Sequence, residues 1–600
     1  MKKLVDVNSF YEYWEIVSKR YSKRIALKDD YLKEQYTFSQ TFSIIKAFAM
    51  GLRVIGLQKG EHISLFSENN ARWMIADQAI FFNGMISAVR GSNNSTAELE
   101  FIFENSDSST LIVENLALLK KLENIAKKAK SIIYLSKENY DGDLESVYSF
   151  EQILNLGKDE EFIPTKTDKE ALATLIYTSG TTGFPKGVML SQKNLLSQVR
   201  DCYYELKVNN GYALCMLPIW HAYERTLEYY LLSQGASLAY TNLKNFKDDL
   251  TKYQPRYFIT VPRVWSAIYE GINKKIAKMP IKMQKIISFS IKTSLKYKEA
   301  KRIFKNCNVG SFYPSFSQRI KSFGIFCSLF GLHFLANMLF YSKIRAGFSS
   351  NFEFGISGGG ALLNKIDLFF DAIEMKVLNG YGLTEASPVV GVRRTNNDTI
   401  GSIGHSFRYT QIKIIDKENN NVNQHSQRGV LHIKGPQVML GYYKNEEATK
   451  ACLSEDGWLN TGDIAFLSPN GSIILNGREK DTIVLSNGEN IEPQGIEDIC
   501  LTCPLISQMV LIGQDRQSLG ALVVPAKKEE INKELEVTIL KEIQKLNESR
   551  KNYMSFERIS KIKLIEEEFT LENGLLTNTT KVRRNKVFEK YNNLIEEIFS

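Results

Sequence analysis

Apolar and polar positions along the first third of the chain alternate between two periods. Trp14, Val17 and Tyr21 recur at helical spacing, and Ile25-Ala26-Leu27 follows as a short strand. Thr37-Phe38-Ser39-Gln40 opens an amphipathic helix through Ile45, Phe48, Ala49 and Leu52, which closes at Gly56 and Gly60. His62 to Phe66 and Thr110 to Val113 read as strands. Ala171 to Tyr177 is an unbroken apolar run, apart from Thr174, and predicts a buried strand. Near residue 480 the pattern changes. Short strands at Gln508 to Gly513 and Gly520 to Pro525 precede a helix striped by Ile531, Leu535, Ile539, Leu540, Ile543 and Leu546. Six hundred residues exceed what one core can organise. The expected fold class is α/β: a large N-terminal domain of mixed sheets and helices over 1–479, and a small mobile α+β domain over 480–600.

One segment, about 270–350, departs from this pattern and reads as an insertion. Lys274 to Lys305 sets lysines among Ile, Met, Phe and Leu at near-helical spacing. Phe323 to Phe340 then runs for eighteen residues without a charge. That is the lower edge for crossing a bilayer. Ser328, His333 and Asn337 interrupt the run, and Gly324 and Gly331 weaken it as a helix, so a buried or interfacial helix is expected rather than a span. Charge singles out the same segment. Lys274 to Arg345 holds fifteen Lys or Arg and one acid, Glu299, or +14, while the whole chain is +9 and the remainder therefore −5. Such a local excess argues against a chain coated for nucleic acid. Two readings of the basic helix stand side by side: contact with anionic lipid, or an ordinary solvated face. Seven scattered cysteines show no metal-ligand spacing beyond Cys500-Leu501-Thr502-Cys503 and read as buried free thiols. Met1 to Asn8 lacks the apolar run of a signal peptide, so the expected location is cytoplasmic; on the lipid reading, 274–345 would add peripheral contact at the inner face of the cell membrane, and on the other it would not.

Candidate chemistry begins directly after the Ala171 to Tyr177 strand, at Thr178-Ser179-Gly180-Thr181-Thr182-Gly183-Phe184-Pro185-Lys186-Gly187. Glycines admit backbone N–H groups close to an anion, and Ser and Thr add donors without bulk, so this loop suits phosphate. It is not a Walker A loop, because Lys186 lies between Pro185 and Gly187 rather than between Gly and Ser or Thr. The stretch Tyr177 to Val188 resembles the signature loop of the AMP-forming acyl-CoA synthetases. That family belongs to the adenylate-forming superfamily, with luciferases and peptide-synthetase adenylation domains.

The resemblance continues along nearly the whole chain in the expected order. Leu217-Pro218-Ile219-Trp220-His221-Ala222-Tyr223-Glu224-Arg225 and Val261-Pro262-Arg263-Val264-Trp265 are similar to motifs of the long-chain branch. They imply that His221 lies beside the acyl carboxylate and α-phosphate, with Glu224 and Arg225 as a supporting ion pair. Gly358-Gly359-Gly360 and Asn379-Gly380-Tyr381-Gly382 match the adenine segment, where Tyr381 stacks on the purine. Thr384 would touch the α-phosphate. Glu385 would be the Mg²⁺ carboxylate with Thr178 as its partner, since hard oxygens suit that ion. The same resemblance implies Asp463 for the ribose diol, Arg478 for ribose or phosphate, Lys480 as hinge and Gly488 for the pantetheine tunnel. Lys581 sits in register as the adenylation lysine, although Asn578 stands where the family pattern usually has Pro.

No Ser-His-Asp, Cys-His or paired-carboxylate motif stands out, and the implied reaction needs none. A fatty acid carboxylate is already ionised near neutrality. What it requires is positioning and positive charge at the phosphoryl group. The implied activity is long-chain fatty acid–CoA ligation with ATP, Mg²⁺ and coenzyme A. The alternatives are a ligase that uses the thiol of acyl carrier protein, or one that stops at acyl-AMP.

Overall fold

A computed structural model describes residues 4–178, 185–307, 313–394, 399–416, 418, 420–422, 427–527, 531–550, 553–570, 572–576 and 582–599. Two large sheets organise the N-terminal part. In the eight-stranded sheet, Val147–Ser149, Ser131–Tyr134, Ser108–Val113, His62–Phe66, Ile86–Arg90 and Leu172–Thr178 run parallel. Lys186–Ser191 and Gly441–Tyr442 then close that edge antiparallel. The centre of the nine-stranded sheet is Ser237–Tyr240, Tyr212–Cys215, Tyr257–Thr260, Phe354–Ser357 and Val377–Gly382, all parallel. The Ala171 to Tyr177 run thus folds as the expected strand, displaced by one residue.

Two helices occupy the middle of the core. Ala71–Phe82, capped by Asn70, is buried at every position. Ala222–Ser233 is buried except at Tyr223. A helix with no polar face needs its polar side chains satisfied internally. Here Asp77 and Arg225 do this for each other, at zero side-chain exposure. Tyr229 also donates to Asp77, and Arg225 donates to Thr174 Oγ1 at 3.0 Å, on the Leu172–Thr178 strand. Arg225 therefore pairs with Asp77 and not with Glu224. Consecutive helix residues point about 100° apart, so the expected neighbouring pair cannot meet.

A four-stranded antiparallel sheet of Gln411–Ile415, Gly429–Lys434, Leu459–Leu467 and Ile473–Arg478 follows. The C-terminal part builds its own apolar core from Ile483 onward, around Ile506–Ile512, Leu519–Pro525 and Ile559–Leu564. The striped helix is Lys533–Glu548, capped by Asn532, with Ile539 and Ile543 buried and Ile531 just ahead of it. The whole is a mixed α/β fold with a large N-terminal part built on two large sheets and a C-terminal part with its own core. One expectation needs correction: among the described cysteines all seven are free, but only Cys202, Cys215, Cys500 and Cys503 are buried. Of the two alternatives for the apolar run from Phe323, burial is ruled out, since Phe323, Phe330 and Phe334 are all exposed.

That run belongs to a helical hairpin, Ile281–Phe304 and Phe316–Ala336. Ring contacts Phe304–Phe323 and Tyr297–Phe326, both 4.9 Å, and the Ser294–His333 hydrogen bond set the helices antiparallel. Its inner side docks on the Asn364–Ala372 helix and the turn after it. Lys298 meets Glu374 at 2.7 Å, His333 Nε2 meets the same carboxylate at 2.9 Å, and Arg302 donates to Asp371 at 2.7 Å. Burial raises the Glu374 pKa, but the hydrogen bond from His333 and the charge of Lys298 outweigh it and bring it down to about 2. A depressed carboxylate stabilises the fold above its ordinary value, and that contribution fades as pH falls towards the depressed one. Glu374→Ala should therefore speed amide exchange around Ser294 and His333 at neutral pH and leave the Leu172–Thr178 strand unchanged. The difference between variant and parent should shrink as pH falls from about 4 towards 2. Equal exchange in both proteins would show that the hairpin is held by its apolar contacts alone.

Candidate functional site

The loop strand and its return strand set one wall. Thr178 and Lys186 are directly opposed across the antiparallel ladder, so the ends of the Gly/Ser/Thr loop are fixed side by side. Ser179, Gly180, Thr181, Thr182 and Gly183 lie outside the described residues, and so does Lys581. Tyr177 is buried beneath, its hydroxyl donating to Asn105 at 2.8 Å. The Lys186 ammonium sits 5.3 Å over the Tyr442 ring. Tyr442 in turn donates to Glu385 Oε1 at 2.7 Å. Glu385 stands in the short turn Thr384–Ala386, immediately after the Val377–Gly382 strand. Loop end, aromatic ring and carboxylate thus converge.

A second wall carries Tyr381 and Asp463. Tyr381 donates to Asp463 Oδ2, and Arg478 Nε donates to Oδ1 at 3.0 Å. Asp463 and Arg478 are ladder partners, so strand register alone brings them together. A carboxylate has about four lone-pair sites, which leaves acceptor capacity beyond these two bonds. Asn379 Oδ1 is buried without a hydrogen-bond partner. Gly358 is required by close packing, since a Cβ there would lie 2.7 Å from the Tyr223 ring, and Gly359 holds φ at +76°. Gly360 follows in the same bend, and Gly380 and Gly382 lie on the strand; a Cβ on Gly382 would strike the Pro388 carbonyl at 2.1 Å. Lys480 occupies the turn directly after Arg478, and Gly488 turns the two-residue ribbon beyond it at φ +85°.

His221 precedes the buried Ala222–Ser233 helix, and its backbone N–H donates to Pro218 at 3.0 Å. Its ring lies 4.1 Å from that of Trp220. Trp220 donates to Glu68 at 3.2 Å, and the Arg90 guanidinium lies 4.7 Å over its ring. Burial, helped by the Arg90 charge, lowers the His221 pKa to about 3. His221 is therefore a neutral imidazole whose buried Nε2 has no protein partner among the described residues. Behind it, Glu224, Glu228 and Cys215 are buried within 4.8 Å of one another, and burial raises both carboxyl pKa values. Glu68, Arg90, Trp220 and Tyr442 have no place among the expected site residues. Trp220 stood inside a quoted motif, but nothing in its spacing marked it as the partner of His221.

Two outcomes follow. Tyr442→Phe removes the hydrogen bond to Glu385 and should speed amide exchange at least about fivefold in the Thr384–Ala386 turn, the scale of about 1 kcal/mol for such a bond. Unchanged exchange would reduce Tyr442 to a packing role. His221 binds no proton in the folded state near neutrality, while the unfolded chain does so below its ordinary 6.5. Its contribution to stability therefore grows as pH rises from about 3 to 6.5. His221→Gln should flatten that part of the stability profile in denaturant titrations at several pH values. A profile that keeps its slope would place the proton elsewhere.

Comparison with known proteins bears on the family. The profile described as AMP-binding enzyme matches residues 14–443, and that described as AMP-binding enzyme C-terminal domain matches 480–600. A probable acyl-activating enzyme 16, chloroplastic, of Arabidopsis thaliana is 38% identical, over 98% of this chain and 88% of its own length. A long-chain-fatty-acid–acyl-carrier-protein ligase, chloroplastic, of the same plant is also 38% identical, over 98% and 86%. A long-chain-fatty-acid–CoA ligase of Mycobacterium tuberculosis is 26% identical, over 94% and 92%. The crystal structure of an anthranilate CoA ligase in complex with anthranoyl-AMP shares the fold, with TM-score 0.74, 18% identity, and coverage of 99% of this chain and 100% of that one. The chain belongs to the AMP-binding enzyme family.

Proposed function

We propose that this enzyme joins a long-chain fatty acid to AMP at the expense of ATP and then hands the acyl group to a phosphopantetheine thiol. The observation that carries this reading is the meeting of Glu385, Tyr442 and Lys186 at the end of the loop ribbon, with Tyr381, Asp463 and Arg478 on the neighbouring wall. In the first half-reaction a fatty acid carboxylate oxygen attacks the α-phosphorus of ATP. The bond from that phosphorus to the bridging oxygen breaks, and pyrophosphate leaves. No side chain has to move a proton, because the acid arrives ionised. Lys186 and the loop N–H groups offset charge on the phosphates, Asp463 accepts from the ribose diol, and Asn379 Oδ1 accepts from the adenine amine. His221, neutral, offers its open nitrogen beside the carboxylate. The Glu385 carboxylate and the Thr178 hydroxyl are hard oxygen donors and fit Mg²⁺, which when bound neutralises phosphate charge.

In the second half-reaction the thiol sulfur attacks the acyl carbon, and the C–O bond to AMP breaks. The reading assigns Lys581 to the first step only. The small domain from residue 480, turning about Lys480, carries that lysine away and brings the Gly488 turn to the thiol. Domain limits of 1–479 and 480–600, with the hairpin region as an insertion, are part of this proposal. So is a cytoplasmic setting, where ATP and reduced thiols are both present.

Two acceptors fit. The motif around His221 and Arg225 favours coenzyme A. The relatives at 38% identity include one named for acyl carrier protein, and this supports the carrier thiol. The deciding assay follows AMP release from ATP, Mg²⁺ and palmitate with coenzyme A or with a holo carrier protein. The thiol that raises kcat/KM is the acceptor. Absence of fatty-acid-dependent pyrophosphate release with either would overturn the reading. Lys581→Ala should lower acyl-AMP formation by at least about a hundredfold, the scale of a lost transition-state charge contact. It should spare thioester formation from supplied acyl-AMP. Equal loss in both halves would remove Lys581 from the assigned role.

A further inference from the structure

The hairpin Ile281–Phe304 and Phe316–Ala336 has an outer face that the rest of the protein does not cover. More than half of the large apolar side chains exposed among the described residues lie between Met279 and Leu339. On the second helix Phe316 is 79% exposed, Ile320 57%, Phe330 54% and Phe334 56%. Monomeric proteins seldom leave a contiguous apolar surface of this kind open to water.

Charge identifies what covers it. On the first helix Lys285, Phe289, Lys292 and Lys296 are all exposed and follow one another at spacings of four, three and four, a single stripe. Arg319 and Lys321 precede the uncharged run and Lys343 follows it, all exposed. Lys298 and Arg302, by contrast, point inward to Glu374 and Asp371. The basic groups are thus sorted: Lys298, Arg302 and Arg345 are held inward, while Lys285, Lys292, Lys296, Arg319, Lys321 and Lys343 are exposed along the same segment as the exposed apolar side chains. An apolar face bordered by outward lysines complements the anionic surface of a bilayer, with rings and aliphatic chains among the acyl chains and ammonium groups among the headgroups.

The mode of contact also follows from the packing. The eighteen uncharged residues would extend about 27 Å as a helix, near the thickness of a hydrocarbon core. A span would have to expose His333, Asn337 and Arg345 to lipid. Yet His333 is bonded to Ser294 and Glu374, and Arg345 to Asn337 and the Ile373 carbonyl. Those bonds tie the end of the second helix to the first helix and to the turn after Asn364–Ala372, so His333 and Arg345 stay engaged with protein. We infer that the hairpin is an in-plane docking surface for anionic membrane: its apolar face enters one leaflet and its outward lysines engage the headgroups, without crossing the bilayer. This inference rests on the hairpin alone and not on the assigned substrate.

The test uses the full chain and vesicles of phosphatidylcholine with or without about a third phosphatidylglycerol, in co-sedimentation at low and moderate salt. Binding is expected to anionic vesicles and to fall with salt. A Lys285→Glu/Lys292→Glu/Lys296→Glu variant should lose at least about tenfold in partitioning, since each lysine near such a surface contributes about a fivefold factor. Phe330→Ser/Phe334→Ser should lose a similar amount while unfolding at the same temperature as the parent. Because both positions are exposed, folding does not depend on them. Equal binding to neutral and anionic vesicles would overturn the inference, as would parental binding by either variant. So would a parent dimer that the Phe330→Ser/Phe334→Ser variant dissociates without any vesicle binding, which would make the face a contact between copies. Vesicle binding needs no turnover, so a failed ligase assay would leave these results readable.

Discussion

The buried contact between Arg225 and Asp77 governs how the core is assembled. It joins two helices that have almost no solvent-facing side, and through Thr174 it ties both to the strand that ends at Thr178. Removing one partner of such a pair strands a charge in a dry interior, at a cost of about 3–5 kcal/mol. Replacing both with apolar side chains need cost little. The pair is therefore better understood as fixing an arrangement than as adding stability. It sets the height of the Leu172–Thr178 strand against the helix that follows His221, and so the spacing between Thr178 and His221.

The site built on this frame depends on position more than on reactive groups. Strand register brings Asp463 to Arg478, a ladder brings Thr178 to Lys186, and one tyrosine holds Glu385. Each contact is set by backbone that is already hydrogen-bonded, so little reorganisation is left for the moment of reaction. This suits a reaction whose nucleophile arrives ionised and whose leaving group is already a good one.

Local chemistry was legible in the sequence, and distant pairing was not. The seven-residue strand, the helix begun by Thr37 and the C-terminal stripe all came from periodicity, which records which side of an element is dry. Gly358, Gly359 and Gly382 were legible as special positions because close packing or a positive φ permits few residue types there. Tyr442 escaped because its partner Glu385 is fifty-seven positions away, and a tyrosine after a glycine has no distinguishing pattern. The expected Glu224–Arg225 pair failed for a geometric reason: adjacency along a helix is not adjacency in space. The apolar run from Phe323 left burial and interface both open, because hydrophobicity reports a preference for leaving water but not whether protein or another apolar phase receives the side chain.

The buried acids behind His221 change how the composition should be read. A formal charge of +9 counts Glu224 and Glu228 as anions. Inside the fold their surroundings favour the protonated form of both. Folding therefore favours proton binding at this helix, and a rise in pH through the carboxylate range works against the buried pair rather than for it.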